Sequence, residues 1–429
     1  MEIRSKDLYA LVEELYPICR SITGDGVRQT LKILEKYIAL TIHEVPSGTR
    51  VFDWTVPKEW NIRDAYIKKV TGEKVVDFSN SNLHVVSYSV PVRKTLSLEA
   101  LKSHLFTLPE HPEWIPYRTS YHNEQWGFCL THKTLLELHD EEYEVCIDSS
   151  LEDGSLTYGE YYLKGEVPDE VLISCHICHP SLCNDNLSGM AVATFLAKYL
   201  VTQVRRYSYR FVFLPGTIGP ITWLCLNEAQ VGKIKHGLVL ALLGDPGPTT
   251  YKKSRQGHAE IDRIVSHVLQ HSGTPYKIVE FSPYGYDERQ YCSPGFNLPV
   301  GSLMRTPNGC FPEYHTSADN LDFVKPASLA DSWEKCRSVV EILEGNRTYA
   351  NQNPKCEPQL GRRGLYRALS GQAERGQHEM AIFWVLNLSD GKHSLLDIAE
   401  RAAMPFPIIK MAADALSAHQ LLKESPVKD

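Results

Sequence analysis

The rhythm of apolar and polar positions changes along the chain. Between residues 5 and 16 the apolar side chains fall at Leu8, Leu11, Val12 and Leu15, the spacing of one helix face, with Ser5 in the N-cap position. Residues 20–26, Arg-Ser-Ile-Thr-Gly-Asp-Gly, break that pattern, and it resumes over 27–40, which predicts two helices joined by a glycine-rich turn. From residue 42 to about 130 the texture becomes alternating, β-branched and aromatic, as in 50–56, 83–90 and 126–130, with prolines between the runs. This predicts a separate, mostly β module with one helix near 97–104. Over 140–345, strand-length apolar runs (143–147, 156–163, 171–175, 209–214, 237–243 and 298–303) alternate with helical ones (190–200, 218–229, 259–271 and 328–344). Continuous apolar strands separated by helices predict an α/β fold with a mixed, mostly parallel sheet covered on both faces. Residues 352–359 read as a polar, proline-bearing linker. Three helical patterns follow, at 381–386, 394–402 and 407–422, in the order of a helix-turn-helix or winged helix.

Composition narrows the functional classes. A chain of 429 residues exceeds one ordinary core and predicts two or three domains. Its net charge of −7 opposes a broad nucleic-acid footprint, and across the three C-terminal helical patterns, residues 381–422, lysines and arginines do not outnumber acids. That part is therefore assigned a packing or oligomerisation role, with a homo-oligomer as the expected partner and no nucleic acid. The charged opening, Met1-Glu-Ile-Arg-Ser-Lys-Asp, does not resemble a signal peptide, and no apolar run reaches the roughly 20 residues of a membrane helix. Eleven cysteines without a disulfide framework suit a reducing compartment, so the expectation is a cytoplasmic protein. Cys175-x-x-Cys178 has no second pair to complete a structural zinc site.

The chemistry concentrates in residues 171–189, Val-Leu-Ile-Ser-Cys-His-Ile-Cys-His-Pro-Ser-Leu-Cys-Asn-Asp-Asn-Leu-Ser-Gly. A buried strand runs into a loop bearing His176, His179 and Asp185, at the strand edge where open α/β sheets hold ligands. A catalytic zinc takes three such ligands and keeps a position for water, whose pKa falls to about 7. Further ligands must come from distant strand ends, and His315 and Asp245 are the candidates. Glu313 stands two residues before His315, so an extended segment would put both on one face. Residues 286–290, Tyr-Asp-Glu-Arg-Gln, add two acids and a base in a turn-rich stretch. Arg20, Arg289 and Arg305 are candidate anchors for an anionic substrate group. Trp54, Trp60, Trp114, Tyr117 and Tyr121 of the β module are either core or a lid over the site.

Three further stretches, Pro-Gly-Thr-Ile-Gly-Pro-Ile-Thr-Trp-Leu (215–224), Asp-Glu-Arg-Gln-Tyr (287–291) and Pro-Glu-Tyr-His-Thr-Ser (312–317), join the Cys-His-Pro-Ser and Asn-Asp-Asn-Leu-Ser-Gly motifs. Together they resemble the bacterial aminopeptidase-like zinc hydrolases with an inserted β domain and a C-terminal winged helix, in the zinc aminopeptidase and glutaminyl cyclase clan. The resemblance implies a three-layer zinc-peptidase-like domain formed by residues 1–43 and 131–350, a β-rich lid domain over 44–130 and a winged helix over 360–429. It implies a bridging metal ligand at Asp185, with His176 or His179 and Asp245 on one metal and His315 on the other. His176 holds the strand position of the clan's metal histidine, whereas the Cys-His-Pro-Ser motif favours His179. Clan peptidases carry a Glu-Glu pair where this chain has Pro215-Gly216-Thr217. The expectation is therefore one zinc on His179, Asp185 and His315 rather than two, with Glu313 or, second, Glu288 as general base and Asp319 orienting His315. The implied activity is metal-dependent hydrolysis of an amide bond in a small peptide. The alternatives are a deacylase of a modified sugar or biosynthetic intermediate, and a non-catalytic metal-binding regulator.

Overall fold

Eight strands form the principal sheet: β1 (Thr41–Pro46), β2 (Ser155–Leu163), β3 (Glu170–His176), β4 (Ser208–Leu214), β5 (Ile234–Leu240), β6 (Thr249–Lys252), β7 (Tyr276–Val279) and β8 (Val300–Met304). Their order across the sheet is β1-β2-β4-β3-β5-β8-β6-β7. The middle four, β4, β3, β5 and β8, are mutually parallel, while β2 and β6 join them antiparallel. All seven residues of β3 are buried, as expected for a strand with both faces covered. The sheet belongs to a computed structural model that describes residues 3–121, 123–365 and 372–425.

Helices cover the sheet. Leu8, Leu11, Val12 and Leu15 are the buried face of α1 (Ser5–Leu15), and α2 (Asp25–Leu34) packs on β2. Helix α3 (Gly189–Val201) packs on β3, β4 and β5 and against α1, and is apolar along nearly all its length because it is enclosed. Helix α4 (Ile218–Asn227) joins a core with Leu172, Val212, Leu214, Val239 and Val300 of the sheet. The result is a three-layer α/β domain with a mixed sheet, the predicted fold class.

The inserted module has its own four-stranded antiparallel sheet, ordered Lys74–Asp77, Glu59–Lys69, Glu142–Glu152, Val92–Ser97, over a separate apolar core. The predicted boundary at residue 130 needs correction. Glu142–Glu152 pairs along Glu59–Lys69 and not with the principal sheet, so the module runs on to residue 152. An apolar strand shows its burial in its sequence but not its neighbour.

The described chain divides into two compact units, Met1–Asp262 with Pro275–Glu334, and Arg263–Thr274 with Lys335–Asp429. In the second unit, helices Gln372–Leu388, Leu395–Ala402 and Phe406–Ala418 accompany a small antiparallel sheet of Thr348–Asn351, Asp390–Ser394 and Leu422–Glu424. This is a winged helix, and it begins before residue 360. The segment 348–351, just ahead of the predicted linker, supplies its central strand. Ser394 caps Leu395–Ala402 in a reciprocal box with Asp397, and Ala403 closes that helix in the left-handed region. Helix Phe406–Ala418 carries only Lys410 and Asp414 as charges, and they pair with each other at 2.7 Å. Residues 366–371 and 426–429 of the predicted 360–429 domain lie outside the described residues.

Candidate metal centre

His176 is the last residue of β3, and the following loop is bonded from several sides before α3 begins at Gly189. Ile177 N–H donates to the Leu214 carbonyl at 3.0 Å, Gly216 N–H to the Cys178 sulfur at 3.2 Å, and Arg20 Nε–H to the His179 carbonyl at 2.8 Å. The polar run 184–188 reads the backbone beyond β5. Asn184 Oδ1 accepts from the N–H groups of Gly244 (2.8 Å) and Asp245 (3.1 Å), Asn186 Oδ1 from Leu242 (3.2 Å) and Ser188 Oγ from Leu243 (2.8 Å). A Cβ at position 189 would sit 2.5 Å from the Leu240 carbonyl oxygen, so this close approach requires glycine. With its neighbours held by backbone, the side chain of Asp185, 0% exposed, is left to face imidazoles.

Three of them surround it. His176 Nε2 lies 2.8 Å from Asp185 Oδ1, His315 Nε2 2.9 Å from Oδ2, and His179 Nδ1 4.0 Å from Oδ1. Available ligand atoms of His176, His179 and Asp185 all fall within 4.8 Å of one another. Zinc, with bonds of about 2.0–2.2 Å to imidazole and carboxylate, fits a donor set of this chemistry and span. Burial opposes ionisation of Asp185, but the three histidines outweigh it and hold the carboxyl well below its usual range. Burial also pulls His176 down, and the hydrogen bond and charge of Asp185 reverse this into a net rise. His179 is pushed down to about 3, chiefly by burial, so it is neutral at physiological pH with a free lone pair. The amide of Asn186 is oriented by Leu240 and Leu242, and its Nδ2 lies 3.3 Å from His176 Nδ1. The network thereby assigns the proton of neutral His176 to Nε2, toward Asp185.

Aromatic rings fix the imidazole planes. Tyr286 stacks on His176 with centroids 4.9 Å apart, Tyr314 stacks on His315 at 3.9 Å, and Tyr117 meets His179 and His315 edge to face at 5.2 and 5.1 Å. Tyr117 comes from the inserted module. Its N–H donates to the His315 carbonyl at 2.7 Å, and Ser317 N–H donates to Ile115 at 2.8 Å, joining module and site. The histidines open on a cavity of about 930 Å³ whose wall includes Trp54, Tyr121, Tyr284, Gly216, Asp287 and Arg289.

Several predicted residues stand elsewhere. Asp245 accepts from Thr306 N–H (3.1 Å), Thr306 Oγ1 (2.6 Å), Gly247 N–H (2.8 Å) and Asn184 Nδ2 (3.1 Å), so it braces the loop and lies outside the histidine cluster. Glu288 is 1% exposed, pairs with Lys252 at 2.7 Å and is absent from the cavity wall. Glu313 does not share a face with His315. Residues 312–315 form a turn in which His315 has φ +57°, and Glu313 is likewise absent from the wall. Asp319 does not orient His315; its two oxygens accept from the N–H groups of Asn184 (2.6 Å) and Asp185 (3.0 Å). Arg20, 0% exposed, is a buried strut beneath His179, and Arg305 is tied to Asp331 at 2.6 Å. Arg289 alone of the three candidate anchors lines the cavity. Among the aromatic candidates Trp54, Tyr117 and Tyr121 line it, Trp60 is core of the inserted module and Trp114 stacks on His111.

The sequence reading passed over Asp287 in favour of its neighbour. Asp287 Oδ1 accepts from Thr217 N–H at 2.8 Å, Oδ2 has no hydrogen-bond partner, and the residue is 2% exposed. Burial raises its pKa to about 6, with Glu288 adding to the rise and His176, the Thr217 N–H and Arg289 opposing it.

A sequence profile for a domain of unknown function, DUF4910, matches residues 9–346, and one for a winged helix-turn-helix matches 347–424. A Clostridium acetobutylicum protein provisionally named a polysaccharide biosynthesis protein with an aminopeptidase-like domain is 58% identical over 417 residues, 97% of this chain and 96% of the relative. A crystal structure from Clostridium acetobutylicum, provisionally named a peptidase, matches with a TM-score of 0.94 at 57% identity, over 98% of this chain and 96% of that one. A zinc aminopeptidase from Bacillus subtilis shares the fold, with a TM-score of 0.59 at 12% identity over 80% of this chain and 95% of that one. The chain belongs to the DUF4910 family, an aminopeptidase-like fold followed here by a winged helix.

Proposed function

We propose that the protein is a zinc-dependent hydrolase of an amide bond, with the ion held by His179 and Asp185 together with His176 or His315, the two histidines within 3 Å of that carboxylate. The observation that carries this reading is the convergence of three imidazoles on one fully buried carboxylate at a large cavity, in an aminopeptidase-like fold. Neutral His179 would supply a lone pair and Asp185, held charged by the histidines around it, the anionic ligand. When bound, zinc supplies Lewis acidity, polarising an amide carbonyl and acidifying water. The protein aligns the scissile amide through the aromatic wall and keeps bulk water from the buried side of the site.

Zinc analysis of the purified protein tests the reading. About one zinc per chain is expected, with turnover lost on chelation and restored by zinc. Protein that binds no zinc when supplied with it would overturn the proposal in favour of a non-catalytic role.

One feature of the cavity favours an acylated, anionic sugar over a free peptide as substrate. Its wall is rich in rings that stack on the apolar faces of a sugar, and the Arg289 guanidinium makes no hydrogen bond to the described residues. The name of the Clostridium acetobutylicum relative supports the same direction. Arg289→Ala is expected to raise KM for an anionic substrate by roughly 10–100-fold, with little change in kcat, as for loss of a charged hydrogen bond used in binding. Steady-state kinetics on paired substrates with and without the anionic group would check it, and equal effects on both would exclude Arg289 as the anchor.

A further inference from the structure

We propose that Asp287 is the proton acceptor of the hydrolytic step. This rests on the hydrolase reading above and adds a residue that the metal site does not itself identify.

Amide hydrolysis needs a group that takes a proton from the attacking water and returns it to the leaving nitrogen. The acids around the site can be sorted by what already occupies their oxygens. Asp185 is fully buried between His176 and His315. Asp245 accepts four hydrogen bonds, and Asp319 holds the backbone N–H groups of residues 184 and 185. Glu288 pairs with Lys252 through Oε1 and, like Asp287, leaves its other oxygen buried without a partner, but neither it nor Glu313 reaches the cavity wall. Asp287 is the one carboxylate in that wall among the described residues, and its Oδ2 is unpartnered.

The surroundings hold this carboxylate in one orientation. Thr217 has φ +63°, a costly conformation for a β-branched residue, and in it directs its N–H to Asp287 Oδ1. Gly216 has no side chain. A Cβ there would make ordinary contacts with Cys178 Sγ (3.5 Å), the His176 Cβ (3.8 Å) and Asp287 Oδ1 (4.0 Å), so the carboxylate lies near the strand end that carries His176. A buried carboxylate oxygen without a partner is a cost that folding alone does not explain, and such groups concentrate at working sites.

The step balances with water as the co-reactant. Water oxygen bonds to the amide carbon as one water O–H breaks, with its proton going to Asp287 Oδ2. The C–N bond then breaks as that proton passes to the nitrogen, leaving a carboxylic acid and an amine and returning Asp287 to its starting state.

Asp287→Asn keeps an oxygen for the Thr217 N–H but cannot accept the proton. With an aminoacyl p-nitroanilide and an N-acetylated hexosamine as probes, turnover is expected to fall by about 10²–10⁴-fold, with zinc content unchanged. Asp287→Glu, which keeps the carboxylate at altered reach, is expected to retain more turnover than Asp287→Asn. Metal-free protein gives a readout independent of turnover. The asparagine variant is expected to melt at higher temperature than the parent at pH 8, where the buried carboxylate is charged, and at about the same temperature below its raised pKa, near pH 4. The groups facing it in that comparison, His176, Glu288 and Arg289, are common to both proteins. Full turnover by Asp287→Asn would overturn the inference and leave the hydrolase reading standing. Loss of zinc together with turnover would also overturn it, because the residue would then support the metal. A parent protein that neither binds zinc nor turns over either probe would overturn both.

Discussion

Asp185→Asn is expected to lose zinc and turnover together. The carboxylate is the common partner of His176, His179 and His315, and asparagine offers neither its charge nor a second oxygen. Removing a residue that merely orients a ligand costs about 10–100-fold in metal affinity, so loss of the anionic ligand should exceed that range. Zinc titration and residual turnover would check it, and affinity within threefold of the parent would refute it. The variant should also alter the acid stability of metal-free protein, with a definite sign. Asp185 titrates below its reference value of 3.8 in the fold, so its contribution is present above 3.8 and disappears as pH falls through the depressed value. His176 titrates above 6.5, so its contribution is complete below 6.5 and disappears as pH rises through the raised value. The pair therefore stabilises most between pH 3.8 and 6.5. The melting-temperature gap between parent and Asp185→Asn should accordingly be wider at pH 5 than at pH 8, and a gap independent of pH would contradict the ion-pair assignment.

The loop that binds this carboxylate was legible in the chain because its logic is local. A mostly apolar strand, Glu170–His176, ends in His176, and Asn-Asp-Asn-Leu-Ser-Gly follows within one turn of a helix start. His315 was also found from sequence, because the loop needed a ligand from far along the chain and the Pro-Glu-Tyr-His-Thr-Ser stretch that supplies one matches the family motif. The choice between Asp287 and Glu288 was not legible. The two are adjacent at the start of a short helix, where successive side chains diverge by about 100°. Asp287 belongs to the cavity wall and Glu288 pairs with Lys252, and only the phase of the turn decides which. Glu313 misled for a related reason, because its two-residue spacing from His315 implies a shared face only in extended backbone. Asp245 stands at the expected strand edge, but Thr306, distant in sequence, occupies its oxygens. Arg20 and Arg305 show the same limit from the other side. A guanidinium looks available in a sequence until a carbonyl or carboxylate far along the chain takes it.

The second large effect concerns the support of the metal loop rather than its ligands. Asp319 is fully buried, with one oxygen on each backbone N–H of Asn184 and Asp185, and its own carbonyl accepts from Cys183 N–H at 3.0 Å. Burial lifts its pKa to about 8 against the pull of those two N–H groups. Alanine at this position leaves both N–H groups buried without an acceptor. At roughly 1–3 kcal/mol for each, Asp319→Ala should lose about 2–6 kcal/mol of stability. Asp319→Asn keeps one side-chain acceptor and should fall between parent and alanine variant in denaturant unfolding. Because these bonds fix where Asp185 points, zinc affinity should also drop, by about 10–100-fold as for other residues that orient a ligand. Saturating zinc should then restore turnover to Asp319→Ala, which retains every ligand, but not to Asp185→Asn, which lacks one. If Asp319→Ala bound zinc as tightly as the parent, the orientation of Asp185 would have to come from His176 and His315 alone.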